Sequence, residues 1–149
     1  MAAKDDLARY LTNVEEQTEP VDVAQVGERV EALLTELGLP WSIDEEADWE
    51  IKSDVGTVFA RLEGGTVWIF QHVHELEEKS KKYADYFRSL LVLNGNVSGA
   101  AFAIFGGPGD TQWLSITSSI AATSLDKEEL AFAFKSVFEL ARLWETTFR

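Results

Sequence analysis

Residues 57–73 read TVFARLEGGTVWIFQHV. Two runs rich in β-branched and aromatic residues flank Gly64-Gly65, and each run alternates in character. A two-residue loop with glycine at both positions predicts a tight β-hairpin, because the favoured hairpin turns need positive φ. The turn sets the register: Leu62 faces Val67, Arg61 faces Trp68, Ala60 faces Ile69 and Phe59 faces Phe70. One face of the hairpin then carries Val58, Ala60, Leu62, Val67 and Ile69. The other carries Phe59, Arg61, Trp68 and Phe70. Both faces are partly apolar, so each predicts a cover.

The same alternation extends outward. Trp49 and Ile51 alternate with Glu50 and Lys52, which predicts a strand over 48–53 ahead of the hairpin. Two further strands are expected at 99–105 and 112–118, joined by a Pro/Gly turn at 106–110. Helices punctuate these strands. Asp22 with Gln25 has capping-box spacing, and Val23, Val26, Val30, Leu33, Leu34 and Leu37 share one arc before Gly38 and Pro40 end the helix. A second helix is expected over 77–93, with Tyr83, Tyr86, Phe87, Leu90 and Leu91 as its stripe. Asp126 with Glu129 opens a third, whose stripe runs from Leu130 through Phe134, Val137, Phe138, Ala141 and Trp144 to Phe148. Phe132 and Leu143 lie off that stripe. A polar helix over 4–17 reads as an appendage, so residues 1–20 are expected to stand apart from a domain at 21–149. The fold class is α+β, an antiparallel sheet with helices in the order α-β-β-β-α-β-β-α plus the extra N-terminal helix.

Composition excludes several functions. The absence of cysteine removes disulfides, cysteine-held zinc, iron–sulfur clusters and thiol catalysis. Residues 1–75 carry 5 basic and 17 acidic side chains, against 8 and 9 in residues 76–149. A net charge of −13 repels phosphate backbones, so no nucleic-acid partner is expected. With no long apolar run and no basic-then-apolar leader, the chain is expected to be cytoplasmic, without a membrane partner.

Few clusters carry chemistry. His72 and His74, two residues apart on a strand, would share a face and could approach one ion with Glu75. The plainer reading is a polar strand end, and no metal or other cofactor is expected. The glycines of 106–110 lack the lysine and following helix of a phosphate loop. Ser115, Thr117, Ser118, Ser119, Thr123 and Ser124 sit in no nucleophile elbow, although His72 or His74 could meet one of them in space. The acidic run Asp44-Glu45-Glu46 with Asp48, Glu50 and Asp54 reads as a solvated face. No catalytic residue is assigned. The hairpin's aromatic side is more informative: Phe59, Trp68 and Phe70, with Arg61 opposite Trp68 and Trp113 able to join, are residue types common at interface hot spots, and the plainer reading is a face covered as core or in a homodimer. With Phe132 and Leu143 they make up the expected partner-binding set.

Three stretches carry a family resemblance: 30–38 (VEALLTELG), 91–94 (LVLN) followed by the strand at 100–105, and 124–130 (SLDKEEL) opening the last helix. Over about 22–146 the chain resembles the type III secretion chaperone fold and, more closely, YbjN-like domains described as sensory transduction regulators. The resemblance implies a small acidic domain, often a homodimer, that binds polypeptide and needs no cofactor. The expected function is non-enzymatic: a chaperone-like or regulatory adaptor binding a protein or peptide through apolar and aromatic surface. The alternative is a small-molecule sensory domain with an aromatic pocket between helix and sheet.

Overall fold

A computed structural model describes residues 22–77, 83–95, 97–106 and 111–148. The predicted helix at 4–17, the start of the second helix and most of the 106–110 turn lie outside these residues. The elements are α1 (Val23–Glu36), β1 (Trp41–Ile43), β2 (Trp49–Ser53), β3 (Gly56–Glu63), β4 (Thr66–Leu76), α2 (Tyr83–Asn94), β5 (Ala101–Phe105), β6 (Gln112–Ala121), a 3-10 turn (Ala122–Ser124) and α3 (Lys127–Phe148). All strands pair antiparallel in one sheet, in the order β1-β2-β3-β4-β6-β5.

The hairpin register is the predicted one, from Phe59 opposite Phe70 to Leu62 opposite Val67. Gly64 and Gly65 both have positive φ, at 58° and 77°. This is the type I′ geometry that matches strand twist. The Asp22 side chain accepts from Gln25 N at 3.2 Å, and Asp126 accepts from Glu129 N at 2.8 Å. Helix α1 ends with Leu39 N donating to Leu34 O and Gly38 N to Thr35 O. Gly38 itself has a φ of 72°. Together these make a Schellman motif.

Two features depart from the predicted order. A fourth early strand, β1, occupies only three residues after Pro40, too few for alternation to show. It pairs with β2, and the Trp41 indole donates to Thr35 Oγ1 at 3.2 Å, tying it to α1. Second, β4 runs on to Leu76 with a bulge between His72 and His74.

The core forms between one sheet face and the helices. Val58, Ala60, Val67, Ile69, Ile116 and Ile120 from the sheet meet Val30, Leu33 and Leu34 of α1 and Leu130, Phe134, Val137 and Leu140 of α3, all buried. The Trp49 indole packs into this core and donates to Glu31 of α1 at 3.1 Å. Val23, expected on the α1 stripe, is 67% exposed as the first residue of the helix, and packing against the core begins one turn later at Val26. Among the described residues, every helix that contributes to the core does so from this one side.

Candidate functional site: the helix-free sheet face

The opposite face is built by strict alternation. Phe59 and Arg61 of β3, Trp68, Phe70 and His72 of β4, Trp113, Ser115, Thr117 and Ser119 of β6, and Ala101, Ala103 and Phe105 of β5 all project there, as their registers require. Small residues on β6 and β5 leave a trough. Rings from either side lean across it: Phe70 stacks on Phe59 at 5.5 Å and on Phe105 at 5.7 Å between centroids, and His72 lies 5.4 Å from Trp113. The rings shield one another, so Phe70 is buried while Phe59, Trp68, Phe105 and Trp113 keep partly exposed edges. Alongside this roof runs an open groove of about 530 Å³ lined by Arg61, Glu63, Trp68, Phe70, Ala103 and Phe105, with Thr117 at its floor. The Thr117 hydroxyl is buried there with no hydrogen-bond partner.

Arg61 does not use Trp68, its partner across the ladder. Its guanidinium sits 5.2 Å from the Phe70 ring centroid, within reach of a cation–π contact. It also forms a two-pronged pair with Asp48, Nε to Oδ1 at 2.8 Å and Nη2 to Oδ2 at 2.7 Å. Such fork-like pairs are among the strongest of charge-assisted hydrogen bonds. Asp48 is therefore no part of a solvated acidic run. It is buried, on a loop ordered by Asp44, whose carboxylate accepts from the backbone N–H groups of Glu46 and Asp48 at 2.9 Å each. The Asp48 hydrogen bond raises the Arg61 pKa above its usual value, and desolvation offsets part of that rise. The guanidinium is thus a fixed brace over the rings, already neutralised by its carboxylate.

The predicted pairing of His72 with His74 does not occur. His72 pairs with Ser115 and His74 with Leu114, and consecutive residues of β6 face opposite ways. The bulge has reversed the parity of the strand. His72 stays among Phe70, Phe105 and Trp113, while His74 turns to Tyr83 and Tyr86 on the helix side. The two imidazoles cannot share an ion. His72 Nδ1 shares a hydrogen bond with the Ser115 hydroxyl, the one meeting of His and Ser that the sequence left open. Ser115 is fully buried beneath the rings, where a substrate does not reach it. Desolvation, with the nearby Arg61 charge, pushes the His72 pKa below its ordinary value, and Glu46 pulls weakly the other way.

The structure brings together Phe59, Arg61, Trp68, Phe70 and Trp113 on this face, and leaves Phe132 and Leu143 apart on α3. Phe132 is 49% exposed and rests against Gly99, while Leu143 is partly buried against the core edge instead of facing away from it. His72 and Phe105 belong to the face as well. The strand alternation of 99–105 carried a hint of Phe105, but its register with Trp113 depends on a turn too long to count across.

No family model matches the chain, and no curated protein matches its sequence. Solved structures do match. YbjN from E. coli superposes with a TM-score of 0.60 over 80% of this chain and 90% of its own, at 8% identity. The fold is YbjN-like. A chain of the HopA1-SchA chaperone-effector complex matches at TM-score 0.59 and 14% identity, over 86% of this chain and 100% of its own. An uncharacterised protein from Methanothermobacter thermautotrophicus matches at 0.56 and 16%, covering 81% and 94%. The fold these chains share is α+β, as the order of elements implied. Among the described residues no helix is long and apolar enough to cross a membrane.

Proposed function

We propose that this protein is a non-enzymatic binding domain that receives an apolar or aromatic segment of a partner polypeptide on the helix-free face of its sheet. The observation that carries this reading is the groove beside the ring roof, walled by Trp68, Phe70 and Phe105 and left uncovered by every described helix. Aromatic residues and arginine are the types that dominate interface energetics, and here their rotamers are already fixed by one another and by Asp48, which lowers the entropy lost on binding. The likeness to a chain of a chaperone-effector complex supports the same class of partner.

The rim defines the partner further. Glu46, Glu50, Glu63 and Glu75 lie on or beside this face, against Lys52 and the already paired Arg61. Two copies pressed together here would oppose like charges. We therefore assign the face to a segment with aromatic or aliphatic anchors flanked by Lys or Arg, and not to a second copy.

Selection of peptides from a random display library on the immobilised protein tests this reading. The expected result is a set of sequences with one or two large apolar anchors and basic flanks, whose binding falls at least tenfold in Trp68→Ala. If no sequence is enriched over a Trp68→Ala control, or sedimentation shows a dimer that Trp68→Ala dissociates, the reading is wrong.

A further inference from the structure

A second pocket, on the other side of the bulge, has a different character. It has a volume of about 490 Å³, and its described lining consists of His74, Tyr83, Tyr86, Trp144 and Phe148. Every one of these bears a ring, and they come from three elements: the end of β4, the start of α2 and the last turns of α3. A pocket meant only for grease would be expected to include aliphatic side chains, as the core does.

The rings stand as walls at steep angles. His74 is inclined 75° to both Tyr83 and Tyr86, and Phe148 is inclined 83° to Tyr86 at 4.8 Å between centroids. The tyrosines are held in place. Tyr86 accepts from the Trp144 indole at 2.7 Å, and Tyr83 accepts from the Glu77 backbone N–H at 3.3 Å. In these bonds the tyrosine oxygens accept and the indole N–H donates, so the contacts locate the walls. What the cavity can offer a ligand is mainly the electron-rich faces of the rings, which attract cations.

From this geometry we infer that the pocket of His74, Tyr83, Tyr86, Trp144 and Phe148 is an aromatic cage for an alkylated ammonium group, with trimethylammonium as the matching chemistry. A free metabolite bearing that group and a trimethylated lysine side chain present the same head to the cage. A bare ammonium is bound less well, because it gives up stronger hydration on entering a site whose described lining holds no carboxylate. The site is separate from the groove on the helix-free face and does not depend on how that face functions.

The test is an NMR titration of the full chain, following indole N–H signals, with choline, N-acetyl-trimethyllysine methyl ester and the uncharged choline isostere 3,3-dimethyl-1-butanol. The Trp144 signal, identified by its loss in Trp144→Phe, is expected to shift with one or both cations. The neutral isostere is expected to bind about tenfold more weakly. The tighter of the two cations reveals the source of the group. Phe148→Leu, at the last turn of α3, keeps an apolar side chain there and is expected to weaken the cation about fivefold with an unchanged melting temperature. Equal binding of isostere and cation would make this a plain apolar pocket and overturn the inference. So would the absence of any Trp144 shift at tens of millimolar choline, or a cation affinity that Phe148→Leu leaves untouched.

Discussion

Arg61 and Asp48 show how a single ion pair can organise a surface. The two ends are unequally placed: Asp48 is buried, whereas the Arg61 side chain keeps 38% of its surface exposed. Removing the arginine therefore strands a carboxylate in the interior, and removing the carboxylate leaves a cation that water can still reach. Arg61→Met is expected to cost about 2–4 kcal/mol and Asp48→Asn about 1 kcal/mol, compared by urea unfolding. The opposite ranking would show that the cation, not the carboxylate, is the group that depends on the pair. His72 provides a second test at this scale. Its folded pKa lies below the ordinary value of about 6.5, so the unfolded chain binds the proton first. The stability it contributes is complete above pH 6.5 and is lost as pH falls through the folded pKa. Urea midpoints measured between pH 7.5 and 5 are expected to decline in the wild type and to decline less in His72→Asn. Neither the burial of Asp48 nor the desolvation of His72 was visible in the sequence. The first sits in a run of acidic residues that looks uniformly solvated, and the second depends on rings arriving from other strands.

At the scale of elements, the hairpin was legible because its information is local. Gly64 and Gly65 fix the turn, the turn fixes the register, and the register sorts Phe59, Arg61, Trp68 and Phe70 onto one face. The same logic makes a sharp prediction. A Cβ at Gly64 would meet nothing within 4 Å, so only its φ of 58° penalises a side chain. Gly64→Val is expected to cost about 1–2 kcal/mol and Gly64→Asn distinctly less, since asparagine tolerates the left-handed region. Equal losses in thermal melts would mean that the turn carries a constraint beyond backbone conformation. The bulge at Val73 was not legible. Its neighbours His72 and His74 suit regular alternation just as well, and the extra residue is chosen by how β4 meets β6, far along the chain. That single unpaired residue replaces an expected two-histidine face with two separate ring clusters, one on each side of the sheet. The strand β1 escaped for a simpler reason: three residues are too short for a period, and its Trp41 is anchored by α1.

The whole molecule is asymmetric across its sheet. One face is sealed by α1 and α3. The other has its rings half hidden by each other, so the aromatic surplus of the sequence is only partly a surplus of exposed surface. Large side chains that are exposed, among them Leu91, Val92, Ile104 and Phe132, lie off the ring face. On the proposed reading, affinity for a partner comes from the walls of one groove and from the charges around it, and these two contributions separate experimentally. Glu63 and Glu75 are exposed at the ends of β3 and β4; Glu63 lies two residues from Arg61 and helps to raise its pKa, but neither glutamate is hydrogen-bonded to the Asp48–Arg61 pair. Glu63→Lys with Glu75→Lys is expected to leave stability within about 0.5 kcal/mol, as surface substitutions do. A display-selected basic peptide is expected to bind the double variant several-fold more weakly at low salt. Raising NaCl from about 50 to 500 mM should weaken the wild-type complex and narrow the difference, because a Debye length of about 10 Å at 0.1 M shrinks below the width of the rim. Trp68→Ala behaves differently under the same titration: its loss of affinity persists at high salt, since burial of apolar surface is not screened. A complex whose affinity ignored both salt and the rim charges would be held by the rings alone, and the acidity of this face would then have no part in choosing its partner.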